Sequence, residues 1–194
     1  MTESVMGTLT VIVGCMFAEK TTELLRVYRR ATRAGKRCLL IKPKIDTRYS
    51  EGEIVSHNQD KAHAYVCEQA SELLGMIKDY DYMLFDEGQF ISDLPEVCEQ
   101  LLQSGLKVYV AALRSDFRRE PFPVVSRLLA RANGGIIWAT AVCVECGRDA
   151  TESLLLTSEL SEGIGPIGGA EAYAAVCLTC YSRINNRDVK ETKN

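Results

Sequence analysis

The stretch Leu9-Thr10-Val11-Ile12-Val13-Gly14-Cys15-Met16-Phe17-Ala18-Glu19-Lys20-Thr21-Thr22-Glu23-Leu24 decides the reading of the fold. Its first five residues form a compact, β-branched apolar run, which predicts a buried strand ending at Gly14. From Thr21 to Ala34 the chain is helix-prone, with Leu24, Leu25 and Tyr28 on one side and Gly35 as a stop. The turn between them matches G-x-x-x-x-G-K-[ST] at every defined position but one. In that pattern backbone N–H groups of the loop and the helix N-terminus point at phosphate oxygens, the lysine reaches the β- and γ-phosphates, and the hydroxyl binds Mg2+. Gly14, Cys15, Met16, Phe17, Ala18, Glu19, Lys20 and Thr21 are therefore candidate phosphate-binding residues, and Thr21 is also a candidate Mg2+ ligand. The plainer alternative is an ordinary strand-to-helix turn.

The exception is Glu19, which stands where the pattern has glycine. A side chain there costs about 1–2 kcal/mol if the backbone must be left-handed. A carboxylate about 5 Å from a phosphate charge, at an effective dielectric near 20, adds roughly 3 kcal/mol of repulsion as an upper bound. Together these would weaken nucleotide binding by about three decades unless Mg2+, or rotation of the side chain into solvent, relieves them.

Outward from this loop the same alternation continues. Cys38–Ile41, Tyr82–Phe85 and Val108–Ala112 read as strands, and Ser71–Lys78, Leu94–Ser104 and Val124–Arg131 as helices. Alternating strands and helices predict an α/β domain with a mostly parallel sheet, a phosphate-loop NTPase-like arrangement whose ligands lie at the carboxyl ends of the strands. Asp86 and Glu87 follow one predicted strand at that end. Asp86 fits the acid that faces Mg2+, and Glu87 fits a general base for a substrate hydroxyl; two solvated acids are the plainer reading.

Length and composition agree with this plan. The chain has 194 residues, 46% hydrophobic and 25% charged, with a net charge of −3 and a pI near 5.5. That is about 1.3 typical domains, one domain and a fraction. The apolar content argues against disorder, and the acidic pI against a protein devoted to nucleic acid. No apolar run approaches membrane-span length, and the N-terminus lacks the features of a secretory signal, so a soluble cytoplasmic protein without membrane or nucleic-acid partners is expected. Arg26, Arg29, Arg30 and Arg33 recur at helical spacing and read as a solvated face or a subunit contact.

The texture changes after about Trp138, which reads as core at a domain junction. Helices are predicted to stop, and Gly163, Gly165, Pro166, Gly168 and Gly169 crowd together. The expected organisation is an ATP-binding domain over 1–137, a small lobe over 138–184 and a polar, frayed tail over 185–194. In the lobe, Cys143-x-x-Cys146 and Cys177-x-x-Cys180 are two knuckles whose four thiolates suit a closed, tetrahedral structural Zn2+ site. A redox centre would need only one pair. Cys15, Cys38, Cys67 and Cys98 read as ordinary small side chains.

These motifs, taken in order, resemble those of the type II thymidine kinases. The resemblance runs from the first strand to Tyr181 and rests on the loop just quoted, Lys42 with Asp46-Thr47-Arg48-Tyr49, Ser56-His57, Asp86-Glu87-Gly88-Gln89-Phe90, Asp116-Phe117-Arg118 with Glu120-Pro121-Phe122, and Ile167-Gly168-Gly169-Ala170-Glu171-Ala172-Tyr173. It implies transfer of the γ-phosphate of ATP to the 5′-hydroxyl of thymidine or deoxyuridine, with Glu87 as base, Lys20, Thr21 and Asp86 at the phosphates and Mg2+, and Arg48 near the transferring phosphate. Gln89 joins the phosphate-side residues. Met16, Leu113, Phe117, Pro166, Ile167, Gly168, Gly169 and Tyr173 would line the nucleoside pocket, with Pro166 to Gly169 as a lasso over the base and His57 supporting the site. A homotetramer inhibited by thymidine triphosphate is also implied. The chain departs from the family pattern at Glu19, at Cys15, at Arg114-Ser115 where an acidic or small residue is frequent, at Asn58-Gln59 and at Ala172. Glu19 opens a second reading, a catalytically impaired paralogue that binds nucleoside or nucleotide and regulates or assembles with an active kinase. A zinc-ribbon nucleic-acid binder is a third, disfavoured by the acidic pI.

Overall fold

A computed structural model describes residues 5–46, 53–55, 61–156 and 169–191. In chain order it contains strand β1 (Thr8–Gly14), helix α1 (Lys20–Arg33), β2 (Cys38–Pro43), a short hairpin of β3 (Glu53–Val55) and β4 (Lys61–His63), and β5 (Tyr65–Cys67). A 3-10 helix (Ala70–Asp79), β6 (Tyr82–Phe85), a 3-10 turn (Gly88–Phe90), α2 (Leu94–Gln103), β7 (Lys107–Leu113) and α3 (Pro123–Arg131) follow. The chain continues through β8 (Gly135–Ala139), β9 (Ala141–Val142), β10 (Asp149–Ala150), β11 (Glu152–Leu155), β12 (Tyr173–Val176) and α4 (Leu178–Glu191).

Six strands form one sheet in the order β5-β2-β6-β7-β1-β8, and every pairing in it is parallel. The alternation of side chains along each strand feeds two cores. Ile12, Leu40, Leu84 and Ala111 point to one face, where Leu24 and Leu25 of α1 cover them. Val11, Val13, Met83, Phe85, Val108 and Val110 point to the other, under Leu94, Val97 and Leu101 of α2, Val125 and Leu128 of α3, and Ala70 and Leu73 of the 3-10 helix. Each such fully buried large side chain contributes about 1.5–3 kcal/mol. The α/β class with a parallel sheet is as the sequence predicts.

Several local details refine or change these expectations. Ser71–Lys78 lies in a 3-10 helix, not an α-helix, started by reciprocal capping between Gln69 and Glu72 and by Asp93, whose carboxylate accepts from the N–H groups of Ala70 and Ser71 at 2.8 and 2.9 Å. Helices do not stop at Trp138, because α4 (Leu178–Glu191) follows the last strand. β8 extends the parallel sheet as far as Ala139 by pairing with β1. Trp138 is not core. It lies at 62% exposure on β8, which among the described residues is the edge strand.

Strand register sets the site. Gly14 lies between Leu113 on one side and Ala139 on the other, and Phe85 lies opposite Val110, so the segments that leave β1, β6 and β7 emerge side by side.

Candidate active site

Gly14 opens the loop where no side chain fits. A Cβ there would sit 2.4 Å from the carbonyl oxygen of Ala139 and 2.9 Å from Cβ of Ala18. Phe17 and Glu19 both adopt positive φ, at 64° and 55°. Left-handed residues in such a loop turn backbone N–H groups inward and make an anion-binding concavity. Glu19 therefore keeps the conformation a glycine would supply, with φ 55° and ψ 28°, and its side chain is exposed. Lys20 is buried and its ammonium group donates to the carbonyl of Cys15 at 2.7 Å, folding across the loop.

Thr21, in the first turn of α1, donates its hydroxyl to both carboxylate oxygens of Asp86, at 3.1 and 3.0 Å. Asp86 is buried and its own N–H donates to Ile41 at 2.8 Å, which fixes it to β2. Glu87 is left-handed, φ 48° and ψ 42°. The Gln89 side-chain amide donates to the Glu87 carboxylate at 2.5 Å, and the Gln89 carbonyl accepts from the N–H of Leu113 at 3.1 Å. Gln89 thus orients a carboxylate against the end of β7, where the sequence placed it only near the phosphates.

The candidate nucleoside wall is compact where it is described. Asp116 accepts from the N–H groups of Arg118 and Glu120 at 2.8 Å each, which shapes the loop carrying Phe117, and the hydroxyl of Tyr181 donates to the carbonyl of Phe117 at 2.6 Å. Tyr173 is buried on β12, and burial, then the negative charge of Asp116, raises its phenol above the usual range. The N–H of Tyr173 donates to the carbonyl of Gly169 at 3.1 Å. Arg48, His57, Pro166, Ile167 and Gly168 lie outside the described residues.

The cysteine lobe closes the other side. Cys143, Cys146, Cys177 and Cys180 bring their four sulfurs within 4.8 Å of one another, and Cys146 and Cys177 are 3.7 Å apart. Four thiolates bound at about 2.3 Å to one tetrahedral ion lie about 3.8 Å apart, so the cluster fits zinc. The Arg148 guanidinium beside Cys146 holds that thiol down to about 6. Cys67 and Cys98 are buried in the main core and Cys15 beside the lobe; burial pushes Cys67 and Cys98 up to about 12 and raises Cys15 as well. Cys38 is half-buried.

Three contacts join lobe and loop that sequence reasoning missed. Ser153 on β11 accepts a hydrogen bond from the N–H of Met16 at 3.0 Å, and the Cys15 thiol donates to the carbonyl of Ala150 at 3.4 Å. Cys15 and Ala18 share an apolar cluster with Cys143, Leu154, Val176 and Cys180, against which Phe17 packs. The ion pair of Arg114 with buried Glu152 at 2.7 Å joins the lobe to the segment after β7 as well. Nothing in the spacing of these residues announces the contacts; the departures from family pattern at Cys15 and Arg114 are the signals.

A strand ending in a phosphate-type loop, a buried acid hydrogen-bonded to the loop threonine, and a neighbouring carboxylate held at the next strand end suit phosphoryl transfer to a hydroxyl. Comparison with known proteins agrees. A family model described as thymidine kinase matches residues 7–181. A thymidine kinase of Roseiflexus sp. (strain RS-1) is 38% identical over 190 residues, covering 93% of this chain and 98% of that one. Thymidine kinase 1 of Dictyostelium discoideum is 38% identical over 184 residues, covering 93% and 80%. A thymidine kinase of raccoon poxvirus is 36% identical over 175 residues, covering 90% and 97%. With the loop, the acids and the cysteine cluster all inside the matched region, the chain belongs to the thymidine kinase family and is a nucleoside kinase.

Proposed function

We propose that this kinase is catalytically active, moving the γ-phosphate of ATP to the 5′-hydroxyl of thymidine or deoxyuridine. The observation that carries the reading is Glu19, which keeps the left-handed backbone of the glycine it replaces while its carboxylate is exposed. The cost is then the strain of one residue, about 1–2 kcal/mol, and a repulsion near the water limit of about 1 kcal/mol at 4 Å. The impaired-paralogue reading needs a larger penalty than this.

In the proposed reaction the loop amides from Cys15 to Thr21 and the Lys20 ammonium hold the phosphates, with Arg48 at the transferring group. Glu87 accepts the proton of the 5′-hydroxyl as its oxygen attacks the γ-phosphorus and the bond to the bridging oxygen of ADP breaks. Thr21 and Asp86 would hold the Mg2+ that accompanies ATP and neutralises phosphate charge. Met16, Leu113, Phe117, Tyr173 and the stretch Pro166 to Gly169 would enclose the nucleoside. The four cysteines would hold a structural Zn2+ that ties the lobe against the loop. A cytoplasmic homotetramer restrained by thymidine triphosphate, with an ATP-binding domain over 1–137 and a lasso lobe over 138–184, completes the proposal on family resemblance. Among the described residues no helix is long and apolar enough to cross a membrane.

The test is direct. Purified protein given millimolar ATP, Mg2+ and thymidine should form thymidine monophosphate. Absence of product, with ATP still bound, would favour the impaired reading.

A further inference from the structure

Glu152 lies on β11 in the cysteine lobe with its side chain 3% exposed. Two arginines converge on one of its oxygens, Arg114 at 2.7 Å and Arg119 at 3.2 Å, while the other oxygen accepts from the hydroxyl of Thr151 at 2.9 Å. A carboxylate this buried is tolerated because it is paired and hydrogen-bonded. The arginines come from the segment that leaves β7, and Arg119 reaches the acid from a left-handed turn with φ 69°.

Arg114 is tied in both directions. Its backbone N–H donates to the carbonyl of Gly14 at 3.1 Å, and the preceding N–H, of Leu113, donates to Gln89, which holds Glu87. On the other side of the ion pair, Ser153 next to Glu152 accepts from the N–H of Met16 in the phosphate loop. The links close a ring from Gly14 through Arg114, Glu152 and Ser153 to Met16. Within that ring a substitution can open the side-chain contacts, Arg114 with Glu152 and the Ser153 hydroxyl with Met16, since the Gly14 link is made by backbone.

We propose that Arg114 and Glu152 are positioning residues that brace the cysteine lobe against the phosphate loop and thereby set affinity for the nucleoside. The assignment of the nucleoside wall rests on the function proposed above. β11 pairs with β12, placing Leu155 opposite Tyr173, so the brace fixes the strand that backs the tyrosine. Thr21 is held by Asp86, whose N–H is tied to β2, and Gln89 reaches Glu87 from the backbone of β7, so neither contact passes through the Arg114–Glu152 ion pair.

The experiment compares wild type with Glu152→Gln, Arg114→Met and Arg114→Lys by steady-state kinetics and by hydrogen exchange. Breaking a buried charge pair should raise the thymidine KM about tenfold in Glu152→Gln and Arg114→Met. The KM for ATP should rise by a smaller factor than that for thymidine, kcat should stay within about twofold, and Arg114→Lys should recover most of the loss. Amide exchange at residues 14–17 and 152–155 should speed up in the Met variant while the strands of the main sheet keep their protection. An unchanged thymidine KM in both broken variants, equal losses for both substrates, or unaltered exchange at these segments would overturn the brace. If Glu152→Gln does not fold, Arg114→Met and the more exposed Arg119→Met carry the same test. Wild-type protein that does not phosphorylate thymidine would overturn the proposed function instead, and exchange would still decide the brace.

Discussion

The hydroxyl of Thr21 and the carboxylate of Asp86, 65 residues apart in sequence, are joined at 3.0 Å across the mouth of the phosphate loop. The pair puts a hydroxyl and a buried acid where Mg2+ ligands are needed in phosphoryl transfer. Asp86→Asn keeps the shape and a hydrogen bond but removes the charge. Its turnover should fall about 100-fold or more, and raising Mg2+ should restore part of it. A variant with near-normal turnover would remove Asp86 from the metal role.

Glu87→Gln tests the base. Positioned general bases contribute about 10²- to 10⁴-fold, so kcat should fall within that range while ATP binding, followed by calorimetry, changes little. Because Gln89 orients the carboxylate, Gln89→Leu should lower kcat in the same direction by a smaller factor. Equal loss of ATP affinity in both variants would point to a collapsed loop.

Glu19→Gly asks what the altered loop costs. Removing a side chain from a left-handed residue should stabilise the protein by about 1 kcal/mol, which raises Tm by about 2–4 °C for a chain of this size. The KM for ATP should fall by less than about tenfold, with kcat nearly unchanged. A hundredfold gain in kcat would mean that the native loop is impaired.

Metal analysis of purified protein should find one zinc per chain, and Cys177→Ser should abolish it. Cys15 and Ala18 share the lobe's apolar cluster, so stripping the zinc should loosen the phosphate loop as well as the lobe. Protease cleavage within the lobe and a weakened ATP affinity are the expected readouts. Full ATP affinity in zinc-free, folded protein would separate the two.

Arg37 and Asp81 give a pH signature. Hydrogen bonds from the Arg37 guanidinium at 3.0 and 3.4 Å, and from its backbone N–H at 2.9 Å, hold the Asp81 carboxyl below its ordinary value of 3.8. A folded-state pKa below the unfolded one adds stability above pH 3.8, which is lost as the pH falls through the folded value. Asp81→Asn should therefore unfold at lower urea than wild type at pH 7, with the gap narrowing below about pH 5. A gap that widens on acidification would contradict this.

Much of the fold is legible because β1, β2, β6 and β7 are apolar runs bounded by glycine, proline or charge, and buried parallel strands must be so. β8 escapes because Gly135, Ile136 and Trp138 are exposed and only pairing with β1 makes the segment a strand. α4 escapes because its residues are mostly polar and its first turn carries Cys180. The loop, the acids and the cysteine knuckles are legible because their chemistry demands fixed local spacing. The backbone state of Glu19 is not, since a motif departure leaves open whether the turn changes or the residue strains. The contacts of Ser153 with Met16 and of Glu152 with Arg114 span 137 and 38 residues, and no local pattern encodes them.

Trp138 is the chain's single tryptophan and stands on the outer strand, opposite Val13 and next to the residue whose carbonyl crowds Gly14. Native tryptophan fluorescence therefore arises from one water-facing indole on the outer strand of the described sheet. A blue shift with rising protein concentration would register another subunit covering that edge, and a change on adding ATP would register movement relayed from the loop. The protein carries its own optical probe.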